Sequence, residues 1–376
     1  MKRIVLVVFL LFLAGQVLGQ VDVETRRTLM LQTSEGLYHS EELLRPFGYF
    51  WFNQNQYPWT NTALRVIFAG VYADVELSCF LPANTNFAVG VAAGGGVYLD
   101  GITPYQQGER ISSEEFFGDD GGGRVFVNET IPNPTPLPLN VRATYGANGA
   151  FYRPSDTTRD FTLPATFLTQ TVQGELRFGG IEPGLLARRG AELYLAAESS
   201  FRSGFTTFGP NGAPFPSHSQ YERFFGSVAG KIPAGPTTIA MRLSGGLGEH
   251  LDELSAWKLG GNMVGIEPFS YTIHGYYTRE IFAEDFILGN LAFSFPIADQ
   301  QHVAGHLYAD YAAAKTLDVT TGQLEEWHSF FGVGAGVSFR AFWKSNILVS
   351  YGYGINALRN GDHGGHEIGA ALEKEF

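Results

Sequence analysis

Residues 327–341 read WHSFFGVGAGVSFRA, and residues 344–357 read KSNILVSYGYGINA. In the first, Phe331, Val333, Ala335, Val337 and Phe339 alternate with Gly332, Gly334, Gly336, Ser338 and Arg340. In the second, Ile347, Val349, Tyr351, Tyr353 and Ile355 share one face. Asn346, Ser350, Gly352 and Gly354 lie on the other, with Leu348 the exception. Successive strand residues point to opposite faces, so a period of two means one apolar face and one small or polar face. Segment 283–297 repeats this, setting Ile287, Leu291, Phe293, Phe295 and Ile297 against Asn290 and Ser294. A sandwich turns the apolar face inward and a membrane barrel turns it outward. Length separates the two: these runs span up to 15 residues, whereas globular strands usually have about 5–6 and membrane strands need about 9–11.

The same alternation gives fourteen candidate strands: 45–53, 64–81, 87–99, 123–131, 139–152, 165–179, 190–203, 219–231, 236–247, 283–297, 301–313, 327–341, 344–357 and 366–376. Connectors after odd-numbered candidates are long: 54–63, 100–122, 153–164, 204–218, 248–282, 314–326 and 358–365. Connectors after even-numbered ones include every very short turn: 82–86, 132–138, 180–189, 232–235, 298–300 and 342–343. Long loops at one end and short turns at the other mark an outer-membrane barrel with long outside loops and short periplasmic turns. The expected fold is therefore all-β, a transmembrane antiparallel up-and-down β-barrel of 14–16 strands. Residues 20–44 form a short N-terminal segment, with room for one more hairpin or a short helix, and 45–376 form the barrel.

Composition agrees. Charged residues are 16% and aromatics 14%, with 47 glycines, against roughly 25% charged residues in a soluble domain. Lys2 and Arg3, the apolar run Ile4–Ala14, and the small residues Val17 and Gly19 read as a signal peptide over 1–19. Its removal leaves 23 basic and 37 acidic residues, a formal charge of about -14. An acidic chain without a basic patch excludes nucleic acid as a partner. One cysteine, Cys79, excludes a disulfide framework and a cysteine-built metal site. The mature chain holds no apolar run long enough for a membrane helix.

The longest outside loop, 248–282, carries Leu259-Gly260-Gly261 and then Ile273-His274-Gly275-Tyr276. The next strand ends Phe293-Ser294-Phe295-Pro296-Ile297, and the one after it carries Tyr308-Ala309-Asp310-Tyr311-Ala312. Glycine-rich strands follow, and the chain ends in Phe376 with Ile368, Ala370 and Leu372 on the same face, interrupted by Lys374. This order resembles the C-terminal barrel of the bacterial surface-antigen superfamily, which includes the BamA and TamA assembly factors and the FhaC-type secretion transporters. The resemblance covers 250–376 by motif and the rest by periodicity. It implies a 16-strand barrel whose long loop folds into the lumen. There a [VI]-R-G-[FY] tip meets an aromatic-x-Asp-x-Gly motif on the wall, an Arg–carboxylate pair supplying charge-assisted, bidentate hydrogen bonds. Here His274 stands at the arginine position and Ala312 at the final glycine. The expected clasp is His274, Gly275 and Tyr276 against Tyr308 and Asp310, weaker or pH-sensitive because histidine has fewer donors and partial charge. Arg279 is a substitute cation. Phe376 reads as the end of a C-terminal sorting strand. Family members usually carry periplasmic POTRA domains, and residues 20–44 are too few for one.

The remaining chemistry is bland. His302 and His306 are four apart on a strand, about 13 Å by the strand rise, too far for one zinc site; His363 and His366 flank a loop. These read as polar lumen lining, so no metal and no cofactor is expected. Asp119-Asp120, beside Glu114 and Glu115, reads as a solvated outside loop. Ser217, His218 and Ser219 are adjacent in sequence, which is not nucleophile–base geometry, so no enzyme activity is expected. Trp51, Trp59, Trp327 and Trp343 read as interfacial girdle; Trp257 has no such role. The expected location is the outer membrane of a diderm bacterium. Expected partners are its lipids and lipopolysaccharide, barrel-assembly machinery during biogenesis, and a substrate protein or lipid. The expected function is insertion or translocation through a loop-gated lumen, with weak pairing of the first and last strands permitting lateral entry. The alternative is a passive diffusion porin for small solutes.

Overall fold

The computed structural model describes residues 25–38, 40–42, 45–97, 101–181, 190–261, 271–298 and 303–376. The expected leader at 1–19 and His302 lie outside them. Sixteen antiparallel strands form the wall: β1 (Arg26–Leu37), β2 (Arg45–Asn55), β3 (Thr62–Ala69), β4 (Tyr72–Leu81), β5 (Asn84–Gly96), β6 (Phe116–Ile131), β7 (Leu139–Pro154) and β8 (Phe167–Ile181) make the first half. The second half is β9 (Gly190–Ser203), β10 (Gln220–Ala234), β11 (Thr237–Glu249), β12 (Ile281–Ala298), β13 (Val303–Leu317), β14 (Leu324–Arg340), β15 (Asn346–Arg359) and β16 (Asp362–Glu375). Each strand pairs with the next, and β16 pairs with β1, so the sheet closes and, among the described residues, every wall strand is paired on both sides.

Sixteen is reached by a different route from the one expected. Segment 64–81 is a hairpin, not one strand. Ala69 stands opposite Tyr72 across Gly70 and Val71, and Gly70 has φ +60°, the first central position that a II′-type turn reserves for glycine. Residues 26–37 supply one further strand, neither a hairpin nor a helix, so the barrel starts before residue 45. Connector 56–61 therefore sits at the end that holds both β1's start and β16's finish, not among the outside loops where 54–63 was expected. From β5 onward the expected alternation of sides holds. Strand β6 also begins earlier than expected. Asp119 and Asp120 lie within it, opposite Phe151 and Ala150, and Asp120 accepts from Gly96 N and Asn148 Nδ2. They belong to the wall rather than to a solvated loop.

The apolar face points outward. Val228, Leu243 and Leu247 are 57%, 59% and 58% exposed on the outer surface, as lipid-facing side chains must be. Polar residues point inward and are buried: Ser34, Asn53, Asp74, Glu76, Ser78 and Asn128. In the first half the lumen wall carries a charged ladder. Glu76 pairs with Arg65 and Arg142, each at 2.8 Å, and Asp74 pairs with Arg124 at 2.7 Å. Charges so placed are tolerable because each has an opposite partner and further hydrogen bonds. Trp51 points into this lumen, between the guanidinium groups of Arg26 and Arg65. It shares its face with Tyr49 and Asn53, so it is not a girdle residue. Trp59, Trp327 and Trp343 are exposed near strand ends.

The closing seam is well paired. Register runs from Thr28 opposite Glu375 to Leu37 opposite His366, ten residues on each strand. Between neighbouring wall strands, the shortest pairing among the described residues is β2 with β3, from Phe50 opposite Phe68 to Asn55 opposite Ala63. The expected weak seam is therefore absent from this state of the barrel.

Candidate functional site

Two layers obstruct the lumen from the outer end. The first is an aromatic dome formed by the outside loops. Ile102, Phe161, Phe208, Phe215, Ala256 and Val319 come from five connectors and pack with Phe116, Phe282 and Leu317 at the strand tops. Phe208 meets Phe215 edge-on at 5.5 Å and Phe116 edge-on at 6.2 Å, the offset geometry that aromatic quadrupoles favour. A two-residue strand pair, Phe161–Thr162 with Gly209–Pro210, ties two of these loops together.

The second layer is the 250–280 connector, which turns inward. Its first limb is anchored by a buried pair, Arg202 Nη1 to Asp252 Oδ2 at 2.6 Å, and by Trp257–Leu259 pairing with Ile281–Ala283. Leu251, Trp257, Leu259, Ile273 and Tyr276 then cover Tyr194, Tyr221, Phe225, Phe286 and Leu288 on the inner wall. An apolar patch facing a lumen is unfavourable unless something covers it; here the loop does so. Within this layer burial holds the Glu253 carboxyl well above the usual carboxylate range, reinforced by Glu114 and Asp252 nearby.

The tip is shaped by one row of inward-facing wall residues. Asn290 on β12, Asp310 on β13, Gly332 on β14, Gly354 on β15 and Gly365 on β16 are successive register partners. His274 and Gly275 lie along this row. Asp310 Oδ2 accepts from His274 N at 2.8 Å and meets His274 Nδ1 at 2.5 Å. Asn290 Nδ2 donates to Asp310 Oδ1 at 2.7 Å and to Thr272 O at 2.9 Å. The His274 ring stacks on Tyr308 at 4.6 Å and 15°. Gly275 has φ +82°, and a Cβ there would lie 1.9 Å from Gly354 N and 2.4 Å from Tyr353 C. The wall is equally intolerant: a Cβ on Gly332 would lie 2.6 Å from His274 O, and one on Gly365 2.1 Å from Gly275 O. Backbone meets backbone across this contact, so glycine is required on both sides.

The stem past the tip is held by residues that the sequence motifs do not include. Arg359 on β15 binds Glu280 with Nη1–Oε1 at 2.7 Å and Nη2–Oε2 at 3.0 Å, and donates to Gly275 O at 3.1 Å. Its guanidinium lies 3.6 Å from the Tyr277 ring centre. The Tyr276 hydroxyl donates to Asn356 Oδ1 at 2.7 Å, and burial raises its pKa. Thr278 N donates to Glu42 Oε1 at 2.8 Å, and Glu41 N to the Tyr277 hydroxyl at 3.1 Å. The structure thus brings His274, Gly275, Tyr308 and Asp310 together and seats the adjacent Tyr276 on Asn356 of β15. Arg279 is exposed, Asp310 accepts from His274 and Asn290, and Arg359 is a cation that grips the loop stem. His306 bridges Ser294 and Ser338 at 2.8 and 2.7 Å as a polar lumen residue. Phe376 is exposed beside Lys374, and its N donates to Arg27 O.

No family model and no curated protein matches the chain. Solved structures do match. CdiB from Acinetobacter baumannii superposes with a TM-score of 0.60 at 10% identity, covering 94% of this chain and 60% of that one. CdiB from Escherichia coli gives 0.59 at 12%, covering 93% and 63%. BamA from Haemophilus ducreyi lacking POTRA domains 1–3 gives 0.58 at 10%, covering 94% and 71%. The chain has the fold of the CdiB and BamA barrels. The chain spans about three-fifths of the length of either CdiB chain. Its wall is that of a bacterial outer-membrane barrel, closed, antiparallel and lipid-facing on the outside.

Proposed function

We propose that the protein is an outer-membrane insertion or translocation barrel, gated by its 250–280 loop, that passes a protein or lipid substrate laterally into the membrane. The observation that carries this reading is the loop tip seated on a wall built to receive it, His274 and Gly275 on Asp310 and three glycines. A passive pore has no need of a glycine-paved dock, nor of an apolar inner patch that only a docked loop covers. The reading agrees with the assembly and secretion barrels that the His274–Tyr276 and Tyr308–Asp310 motifs resemble. Its partners are the surrounding lipids, the lipopolysaccharide of the outer leaflet and the assembly machinery that inserts the barrel itself.

The test is folding of a urea-denatured outer-membrane barrel into liposomes that hold this protein. Faster folding than in empty liposomes is expected, and a disulfide between Glu35→Cys and Ile368→Cys, register partners across the seam, should abolish the gain. No acceleration, or acceleration that persists with the seam locked, would overturn lateral release. One observation favours the porin alternative, namely the charged ladder of Arg65, Arg124 and Arg142 with Asp74 and Glu76 on the lumen wall. Steady solute flux with the loop in place would support it.

A further inference from the structure

We infer that the loop stem, Gly275 to Glu280, is a crossbar that bolts the two sides of the closing seam together from within the lumen. The seam lies between β16 and β1. On its β16 side the stem is held by Arg359, through Glu280, the Gly275 carbonyl and the face of Tyr277. The Gly275 backbone is packed against Gly354 and Gly365. On its β1 side the Tyr277 ring lies so close to Gly36 that a Cβ there would be 2.9 Å from Cε1. The β1–β2 connector completes the grip, with Glu42 Oε1 on Thr278 N at 2.8 Å and Glu41 N on the Tyr277 hydroxyl. Tyr277 is 1% exposed and touches both sides at once, so it is the bolt. β1 cannot move away from β16 without breaking the Glu42 and Tyr277 contacts or dragging the stem off Arg359. Loop release and seam opening are thereby one event. The His274–Asp310 clasp fixes the tip, whereas Arg359, Glu280, Glu42 and Tyr277 are positioning residues that carry the state of the loop to the seam.

The inference rests on the lateral-release reading and names its regulation, but its test is independent of any substrate. In a Cys79→Ser background, nitroxides are attached at Glu35→Cys and Ile368→Cys across the seam. A control pair is placed at Val75→Cys and Ala93→Cys, register partners on β4 and β5. Adjacent labels broaden each other's continuous-wave spectrum while the strands stay paired. Tyr277→Ala and Glu42→Ala are expected to lose broadening at the seam and keep it at the control pair. Tyr277→Phe, which retains the ring against Arg359 and Gly36, should keep both. Unchanged seam broadening in both alanine variants would overturn the crossbar, as would equal loss at seam and control, which means general loosening. A seam disulfide that leaves the folding assay unaffected would instead sink lateral release and leave the crossbar standing.

Discussion

Asp310→Ala gives the sharpest prediction because the aspartate's partners are all defined. Its carboxylate accepts from His274 N, His274 Nδ1 and Asn290 Nδ2 at 2.8, 2.5 and 2.7 Å. His274 and Asp310 are 6% exposed each, so alanine strands His274 N and Nδ1 and one of the two Asn290 amide hydrogens, the other still reaching Thr272 O, where water has little access. Each buried, unsatisfied donor costs about 1–3 kcal/mol. Partial rehydration from the lumen sets the lower end, so about 3–4 kcal/mol of loop docking should be lost. At about 1.4 kcal/mol per tenfold, the docked-to-released ratio falls roughly a hundred- to a thousandfold. Hydrogen exchange of the peptide covering 276–280 reads this directly. Thr278 N is bonded to Glu42 and not to the mutated residue, so its exchange reports whole-stem release. Exchange there should accelerate by about that factor in Asp310→Ala, and by about tenfold in Asp310→Asn, which retains an acceptor. Unchanged protection of 276–280 in the alanine variant would refute the reasoning, since the clasp would then contribute nothing to docking.

Gly275→Ala should release the loop as strongly as Asp310→Ala, because its Cβ meets backbone on β15 that cannot yield; trypsin cleavage after Lys258 in the folded barrel checks it. Phe208→Ala removes the fully buried centre of the dome and should cost about 3–5 kcal/mol locally, read as faster exchange in the outside loops with the 276–280 stem still protected. Glu253, in the outside loop layer, has a folded pKa raised above its unfolded value by burial. Its stabilising contribution is therefore complete below the ordinary carboxylate range, is lost as pH rises to the folded value, and is constant above it. Glu253→Gln should accordingly raise the unfolding temperature at pH 8 and leave it nearly unchanged at pH 4, as measured by calorimetry in detergent.

Much of the dock was legible in the sequence. The alternation in 327–341 and 344–357 places Gly332, Gly334, Gly352 and Gly354 on the face opposite the lipid-facing residues, and the loop tip lands on that face. Asp310 and Asn290 fall on inward faces by the same parity. What the alternation conceals is any turn that does not interrupt it. Gly70-Val71 sits inside an unbroken apolar stretch, so 64–81 reads as one strand, although its length, well beyond the 9–11 residues a bilayer needs, is the signal that divides it. The position of Trp51 near a strand end suggests a girdle residue, but its parity with Tyr49 and Asn53, rather than depth, decides that it faces the lumen. Asp119-Asp120 resembles a loop because glycine and aspartate are poor strand formers, yet closure of the wall on β5 and β7 overrides that preference. Arg359 and Glu280 are 79 positions apart, and nothing local to either residue points to the other. Only the barrel's register brings β15 beside the loop stem.

The central claim is that the docked loop and dome close the lumen. Single-channel conductance of the refolded barrel in planar bilayers, recorded beside Asp310→Ala, tests it most directly. The structure predicts a mostly closed, flickering barrel that the substitution opens. A large, steady conductance that the substitution leaves unchanged would contradict it and identify an open porin.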